Sequence, residues 1–153
     1  MSNLFSSFQK VLPQHGLSRL VGALAKSKHP LVSKPFITQF ARAYDISLAE
    51  AERKSLSDYE SFNDFFTRAL APDVRPMPSN ARTLASPVDG AVSQMGKIDG
   101  NQLMQAKGHR YSLNSLAGKA GSGLEDGDFC TIYLAPNDYH RIHLPFAGKL
   151  EQT

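Results

Sequence analysis

The spacing of apolar residues changes character partway along the chain, and that change limits the folds open to it. Up to about residue 70 the spacing is helical. Leu4, Phe5, Phe8, Val11 and Leu12 form one run, and Leu17, Leu20, Val21 and Leu24 form the next. Pro13 and Gly16 separate them, and His29-Pro30 ends the second. Phe36, Ile37, Phe40, Ala41 and Tyr44 predict a third helix. Ser47-Leu48-Ala49-Glu50 has the form of a capping box and predicts a short fourth. Ser61 and Asp64 open another, with Phe62, Phe65, Phe66 and Leu70 on one side.

Beyond residue 71 prolines at 72, 76, 78 and 87 punctuate a connector, and strand signals follow. Ala91–Ile98 reads as a strand. Asp99-Gly100 is a two-residue hairpin signal, with Gln102–Ala106 as the returning strand. Tyr111–Leu116 suits one helical turn, and Gly118, Gly121, Gly123 and Gly127 mark a loop. Phe129–Leu134 is a strand of buried type. A last strand runs from about Arg141 to Leu150, disturbed by Pro145 and Gly148. Helices first and strands afterwards define an α+β protein. Residues 1–70 are its amphipathic helical region, and residues 71–153 are the first part of a β-rich core. The final strand is barely under way at Thr153, so the chain reads as the opening of something longer.

Charge follows the same division. Residues 1–44 carry Lys10, Arg19, Lys26, Lys28, Lys34 and Arg42 and no acid, whereas the chain as a whole is only +3. Basic amphipathic helices of this type suit an anionic membrane surface, where each cation contributes about 1 kcal/mol, reduced by salt. The plainer reading is a helical cap on the core with solvated lysines. Nucleic acid is not the expected partner, because apolar residues are as prominent here as charges and no nucleic-acid motif accompanies them. No apolar run approaches the ~18 residues that span a bilayer, and polar residues break up any secretory signal. The single cysteine, Cys130, excludes an internal disulfide and is expected to be buried within its apolar strand.

Chemistry concentrates near the C-terminal end. Asp138-Tyr139-His140-Arg141-Ile142-His143-Leu144-Pro145 sets two histidines and an arginine among apolar residues. Imidazole is the side chain whose unperturbed pKa lies nearest neutrality; the plain alternative is a pair of hydrogen-bonded, inert histidines. Ser86-Pro87-Val88-Asp89-Gly90 places an acid at the entrance to a strand, although an Asp-Gly turn alone accounts for it. Gln105-Ala106-Lys107-Gly108-His109 brings a cation and a third imidazole to a strand end, where a surface turn would also fit. In an extended strand His140 and His143 point to opposite faces. That geometry opposes a metal-dependent hydrolase built on His109, His140 and His143 and favours separate duties; no metal is expected.

Together, Ser61-Phe62-Asn63-Asp64-Phe65-Phe66-Thr67-Arg68, Pro87-Val88-Asp89-Gly90, Gln105-Ala106-Lys107-Gly108-His109 and Tyr139-His140-Arg141-Ile142-His143-Leu144-Pro145 resemble phosphatidylserine decarboxylases of the bacterial, pyruvoyl-dependent type. The four motifs stand in the family's order and cover about the first half of its length. The resemblance implies a proenzyme that cuts itself at a Gly-Ser bond in an L-G-S-T-like motif. The serine becomes a pyruvoyl group, which forms a Schiff base with phosphatidylserine and takes up the electrons left as CO2 departs. It implies that Asp89 and His143 belong to a self-cleavage triad, with the serine as third member. His143 would take the hydroxyl proton and Asp89 would orient the ring. His140 would assist decarboxylation or reprotonation, and His109 is a weaker candidate for the substrate wall. The implied partners are phosphatidylserine, an anionic membrane surface at the cytoplasmic face of the cell membrane, and a C-terminal chain bearing the pyruvoyl group. A homodimer is compatible with this picture. No L-G-S-T-like motif occurs in the 153 residues; the lone Gly-Ser, Gly121-Ser122, lies in the glycine-rich loop before the histidines. The resemblance therefore puts the pyruvoyl-forming serine outside this chain and implies that the chain alone is inactive. The other reading is a non-catalytic peripheral membrane-binding module on the same helices.

Overall fold

The computed structural model describes residues 14–80, 82–100, 102–104, 110–121 and 123–149. The helix expected over Leu4–Leu12 and the motif Gln105–His109 lie outside the described residues. The chain divides into two compact units, Met1–Met77 and Pro78–Thr153. The helices of the first unit precede all the named strands, in keeping with an α+β protein.

The first unit holds helices α1 (Gln14–Lys26), α2 (Pro30–Ala43) and α3 (Phe62–Phe66). Pro30 begins α2, where its missing N–H goes unneeded. Ser33, Ile37 and Ala41 recur every four residues and form the buried stripe of α2. Ile37 and Ala41 meet Tyr59 and Phe65 in the core, with Phe40, Ile46, Leu48, Leu56 and Phe62 packed around them. Phe36 stacks on Phe62 at 4.2 Å between centroids, and Tyr59 meets Phe65 edge to face at 5.4 Å. Complete burial of a side chain such as Phe65 contributes about 1.5–3 kcal/mol.

Capping sets the limits of the short elements. Ser61 Oγ accepts the Asp64 N–H at 3.1 Å and starts α3. The helix ends at Phe66 and does not reach Leu70, because Leu70 forms an antiparallel bridge with Ala51. Hydrogen bonds from Ala71 N to Glu50 O (2.8 Å) and from Glu52 N to Ala69 O (2.9 Å) flank that bridge. The same pairing corrects the expectation of a helix after Ser47. The Glu50–Glu52 backbone is taken by the 69–71 segment, and Ser47 Oγ merely caps a turn at the Ala49 N–H. The working capping box is Ser55 with Asp58, which opens a single 3-10 turn, Leu56–Asp58.

In the second unit, β1 (Ala91–Lys97) pairs antiparallel with β4 (Asp128–Tyr133), from Ala91↔Tyr133 to Lys97↔Asp128 with a bulge between Val92 and Gln94. A second ladder joins β2 (Gln102–Met104) to β3 (Arg110–Ser112). Ser112 Oγ then caps α4 (Leu113–Ala117) by accepting the Ser115 N–H at 3.1 Å. Three expectations are corrected here. Gly100 does adopt a positive φ and Asp99 is a bridge residue, but among the described strands β1 pairs with β4 and β2 with β3, so the expected β1–β2 ladder is not found. Residues 141–149 form no strand; Pro145 and Gly148 fall within them, and the described part makes isolated backbone contacts. Cys130 is exposed, because strand alternation gives the sheltered positions around it to Phe129 and Thr131.

Candidate active site

The β1–β4 ladder brings two of the motifs together. Ala91 begins β1 opposite Tyr133, which ends β4. The turn entering β1, Pro87–Gly90, and the loop leaving β4 therefore emerge at the same end of the sheet. Gly90 is required there: a Cβ at this position would lie 2.5 Å from the Tyr133 carbonyl oxygen. His143 N–H donates to the Pro87 carbonyl at 2.8 Å, and Ala85 N–H donates to the Pro145 carbonyl at 3.1 Å. These two bonds bracket Ser86 and Leu144 in antiparallel register. They join the backbone of the histidine motif to the turn that carries half-buried Asp89. Ser86 Oγ donates to the Val88 carbonyl at 2.6 Å and tightens that turn.

Asp138 folds the loop after β4. Its carboxylate accepts the Ala135 N–H at 2.6 Å, and its own N–H donates to the Ala135 carbonyl at 2.9 Å. That carbonyl is also 2.9 Å from His140 Nε2. A carbonyl oxygen only accepts, so Nε2 of His140 carries the proton. His143 Nε2 instead lies 2.8 Å from the Tyr139 hydroxyl. The two rings stack at 5.5 Å between centroids, 19° from parallel. Tyr139 is buried, whereas His143 is exposed.

Asp89, His140 and His143 thus belong to one braced loop system, and His109 lies outside the described residues. The opposed strand faces expected for His140 and His143 do not exist, because their segment is not a strand; their difference lies in their hydrogen-bond partners. Among the described residues no three His, Cys, Asp or Glu side chains gather to hold a metal ion. Tyr139 was not singled out in the sequence. Its only signal is its place four residues before His143, inside a motif where every neighbour competes for attention.

The Ser61–Arg68 motif builds the first unit. Ser61 caps α3, Phe65 fills the core and Arg68 is buried beside it. Asp64 accepts both guanidinium nitrogens of Arg53, at 2.8 and 2.6 Å. This pair holds the Asp64 carboxyl below the ordinary carboxylate range; partial burial opposes the shift and the Glu60 N–H adds to it. Arg53 also lies over the Tyr59 ring at 4.2 Å.

The amino-acid sequence matches that of a known family. The family model described as phosphatidylserine decarboxylase matches residues 62–153, and a second, described as PSD, matches residues 4–45. The chain belongs to the phosphatidylserine decarboxylase family. It is 47% identical to the phosphatidylserine decarboxylase proenzyme of Psychrobacter cryohalolentis, over 99% of this chain and 55% of that protein. The proenzyme of Alcanivorax borkumensis is 49% identical over 98% of this chain and 53% of its own length. That of Saccharophagus degradans is 46% identical over 98% and 54%. The chain spans about half the length of the curated relatives it matches.

Proposed function

We propose that this chain supplies the acid–histidine half of a pyruvoyl-dependent phosphatidylserine decarboxylase, which converts phosphatidylserine to phosphatidylethanolamine and CO2. The observation that carries the reading is the hydrogen bond from His143 N–H to the Pro87 carbonyl, which sets the His143 backbone beside the Asp89 turn. In self-cleavage His143 accepts the proton of a serine hydroxyl supplied by the C-terminal part of the proenzyme. Asp89 orients the imidazole and stabilises its charged form. The donor set fits such a serine: His143 is exposed to an incoming segment, and its Nε2 is already aligned with a hydroxyl, that of Tyr139. His140, whose Nε2 donates to the Ala135 carbonyl, moves a proton at the substrate carbon. The pyruvoyl group supplies the electron sink, which no residue in these 153 can replace.

Residues 1–70 hold the enzyme at the anionic cytoplasmic face of the membrane, and residues 71–153 begin the decarboxylase core. Leu17, Leu20, Val21 and Leu24 support the membrane assignment, because they share one face of α1 and all are substantially exposed. No described helix is long and apolar enough to cross a membrane. A bare membrane-binding module would use the same face and leave the backbone bond between His143 and the Asp89 turn without a role.

The test uses the full-length proenzyme. Asp89→Ala and His143→Ala should each leave it uncut on a denaturing gel. His140→Ala should be cut normally and then turn over slowly. Normal processing of His143→Ala would remove that residue from the triad.

A further inference from the structure

We infer that Tyr139 is a positioning residue for His143, holding the imidazole in the tautomer that leaves Nε2 basic. The inference rests on the assignment of His143 as the self-cleavage base. A phenol hydroxyl 2.8 Å from an imidazole nitrogen can donate or accept. A phenol is acidic relative to an aliphatic alcohol and donates well, while its oxygen is a poor acceptor because its lone pair is shared with the ring. Against a neutral imidazole the stable arrangement is therefore phenol O–H to Nε2, with the ring proton on Nδ1. That tautomer is the one a serine-activating histidine needs, with Nδ1–H available to a carboxylate and the Nε2 lone pair turned to the hydroxyl. Tyr139 is fitted to impose it. The residue is 8% exposed, so its ring is held by packing, and its plane lies 19° from that of His143, which restricts rotation of the imidazole. His140, three residues earlier, has its proton on Nε2 because it faces a carbonyl. The loop thus places its two histidines against opposite kinds of partner, a donor for one and an acceptor for the other. When the serine-bearing segment docks, the serine hydroxyl donates to Nε2 and the phenol turns its O–H to the serine oxygen, so the tautomer is kept and the docked hydroxyl is held against the ring.

Tyr139→Phe keeps the packed ring and removes only the hydroxyl. In the full-length proenzyme it should slow self-cleavage about 3- to 10-fold, the equivalent of one neutral hydrogen bond, with the thermal midpoint of the uncut protein nearly unchanged. Imidazole nitrogen NMR of a proenzyme made uncleavable at its serine should show His143 as the Nδ1–H tautomer, moving towards Nε2–H in Tyr139→Phe. An unchanged rate, or faster cleavage, would show that the phenol is idle or merely competes with the serine, and would overturn the inference. An Nε2–H tautomer in the Tyr139-containing protein would do so even if the variant failed to fold. Normal cleavage of His143→Ala would sink the underlying assignment instead. A block in His143→Ala beside an unaffected Tyr139→Phe would sink only the role of Tyr139.

Discussion

The Arg53–Asp64 pair makes the first unit sensitive to acid. Asp64 lies in the first turn of α3 and takes both guanidinium nitrogens, so its ionised form is stabilised by the pair and by the helix terminus. Its folded pKa is below the ordinary value, chiefly through the Arg53 hydrogen bonds. The unfolded chain therefore binds this proton more tightly than the folded one. The contribution is complete above the unfolded pKa of about 4 and fades as pH falls through the lower folded value. Asp64→Asn should destabilise the unit by about 1–2 kcal/mol at neutral pH; the side chain is a third exposed, so solvent screening keeps the figure near the low end for charged hydrogen bonds. The variant should also flatten the loss of stability below about pH 4, as urea titrations at several pH values would show. An unaltered acid limb would mean that another carboxylate governs it. Asp64 had appeared in the sequence only as a residue near a helix start. Arg53, eleven positions earlier, offered no local sign of being its partner.

At the scale of elements, α1 makes the sharpest prediction. Its apolar residues at 17, 20, 21 and 24 follow the helical period and are 41–57% exposed, so the described structure leaves their face uncovered. Arg19 and Lys26 lie on the same helix, while Lys28 just beyond it pairs with Glu60. Replacing Leu20 and Leu24 by Ser should reduce binding to anionic vesicles at least tenfold, since each leucine contributes about 1.5–3 kcal/mol when fully buried. Raising salt should weaken the parent chain's binding as well, by screening its cations. Co-sedimentation that ignores both changes would refute membrane docking through this face. Helices were legible in the sequence wherever apolar periodicity ran for three turns, as in α1 and α2. Ser47 shows where that failed: a capping residue followed by no sustained apolar run yields to whatever long-range pairing the backbone can find, here with residues 69–71. The strands repeat the lesson. The extents of β1 and β4 were readable from composition, but the choice of β4 over β2 as partner joins residues 31 to 42 positions apart, from Lys97↔Asp128 to Ala91↔Tyr133, and a turn dipeptide carries no information on that choice. Of the four motifs, Pro87–Gly90 and Tyr139–Pro145 are brought together, whereas Ser61–Arg68 builds the core of the first unit. The geometry of the site was not legible, because a loop braced by Asp138 and two short ladder contacts has no periodic signature.

At the scale of the molecule, the second unit is poorly sheltered. Among the described residues its longer sheet has two strands, and a two-stranded sheet is at best marginal in water without a layer against it. Val92, Met95, Tyr133, Ile142, Leu144 and Phe146 are all more than half exposed. Such surface favours self-association when nothing covers it. Expressed as these 153 residues, the protein should aggregate or sediment as large species, and co-expression with the C-terminal half of a relative's proenzyme should return it to the supernatant. The same chain should release no labelled CO2 from carboxyl-labelled phosphatidylserine. A carboxylate and two histidines orient groups and carry protons, but they cannot delocalise the carbanion that forms as CO2 leaves. Solubility and activity are separable in this experiment. A C-terminal half whose pyruvoyl-forming serine is replaced by alanine should restore solubility without CO2 release, whereas a processed, pyruvoyl-bearing half should restore both. Decarboxylation by the 153 residues alone would overturn the pyruvoyl assignment and require an electron sink within this chain.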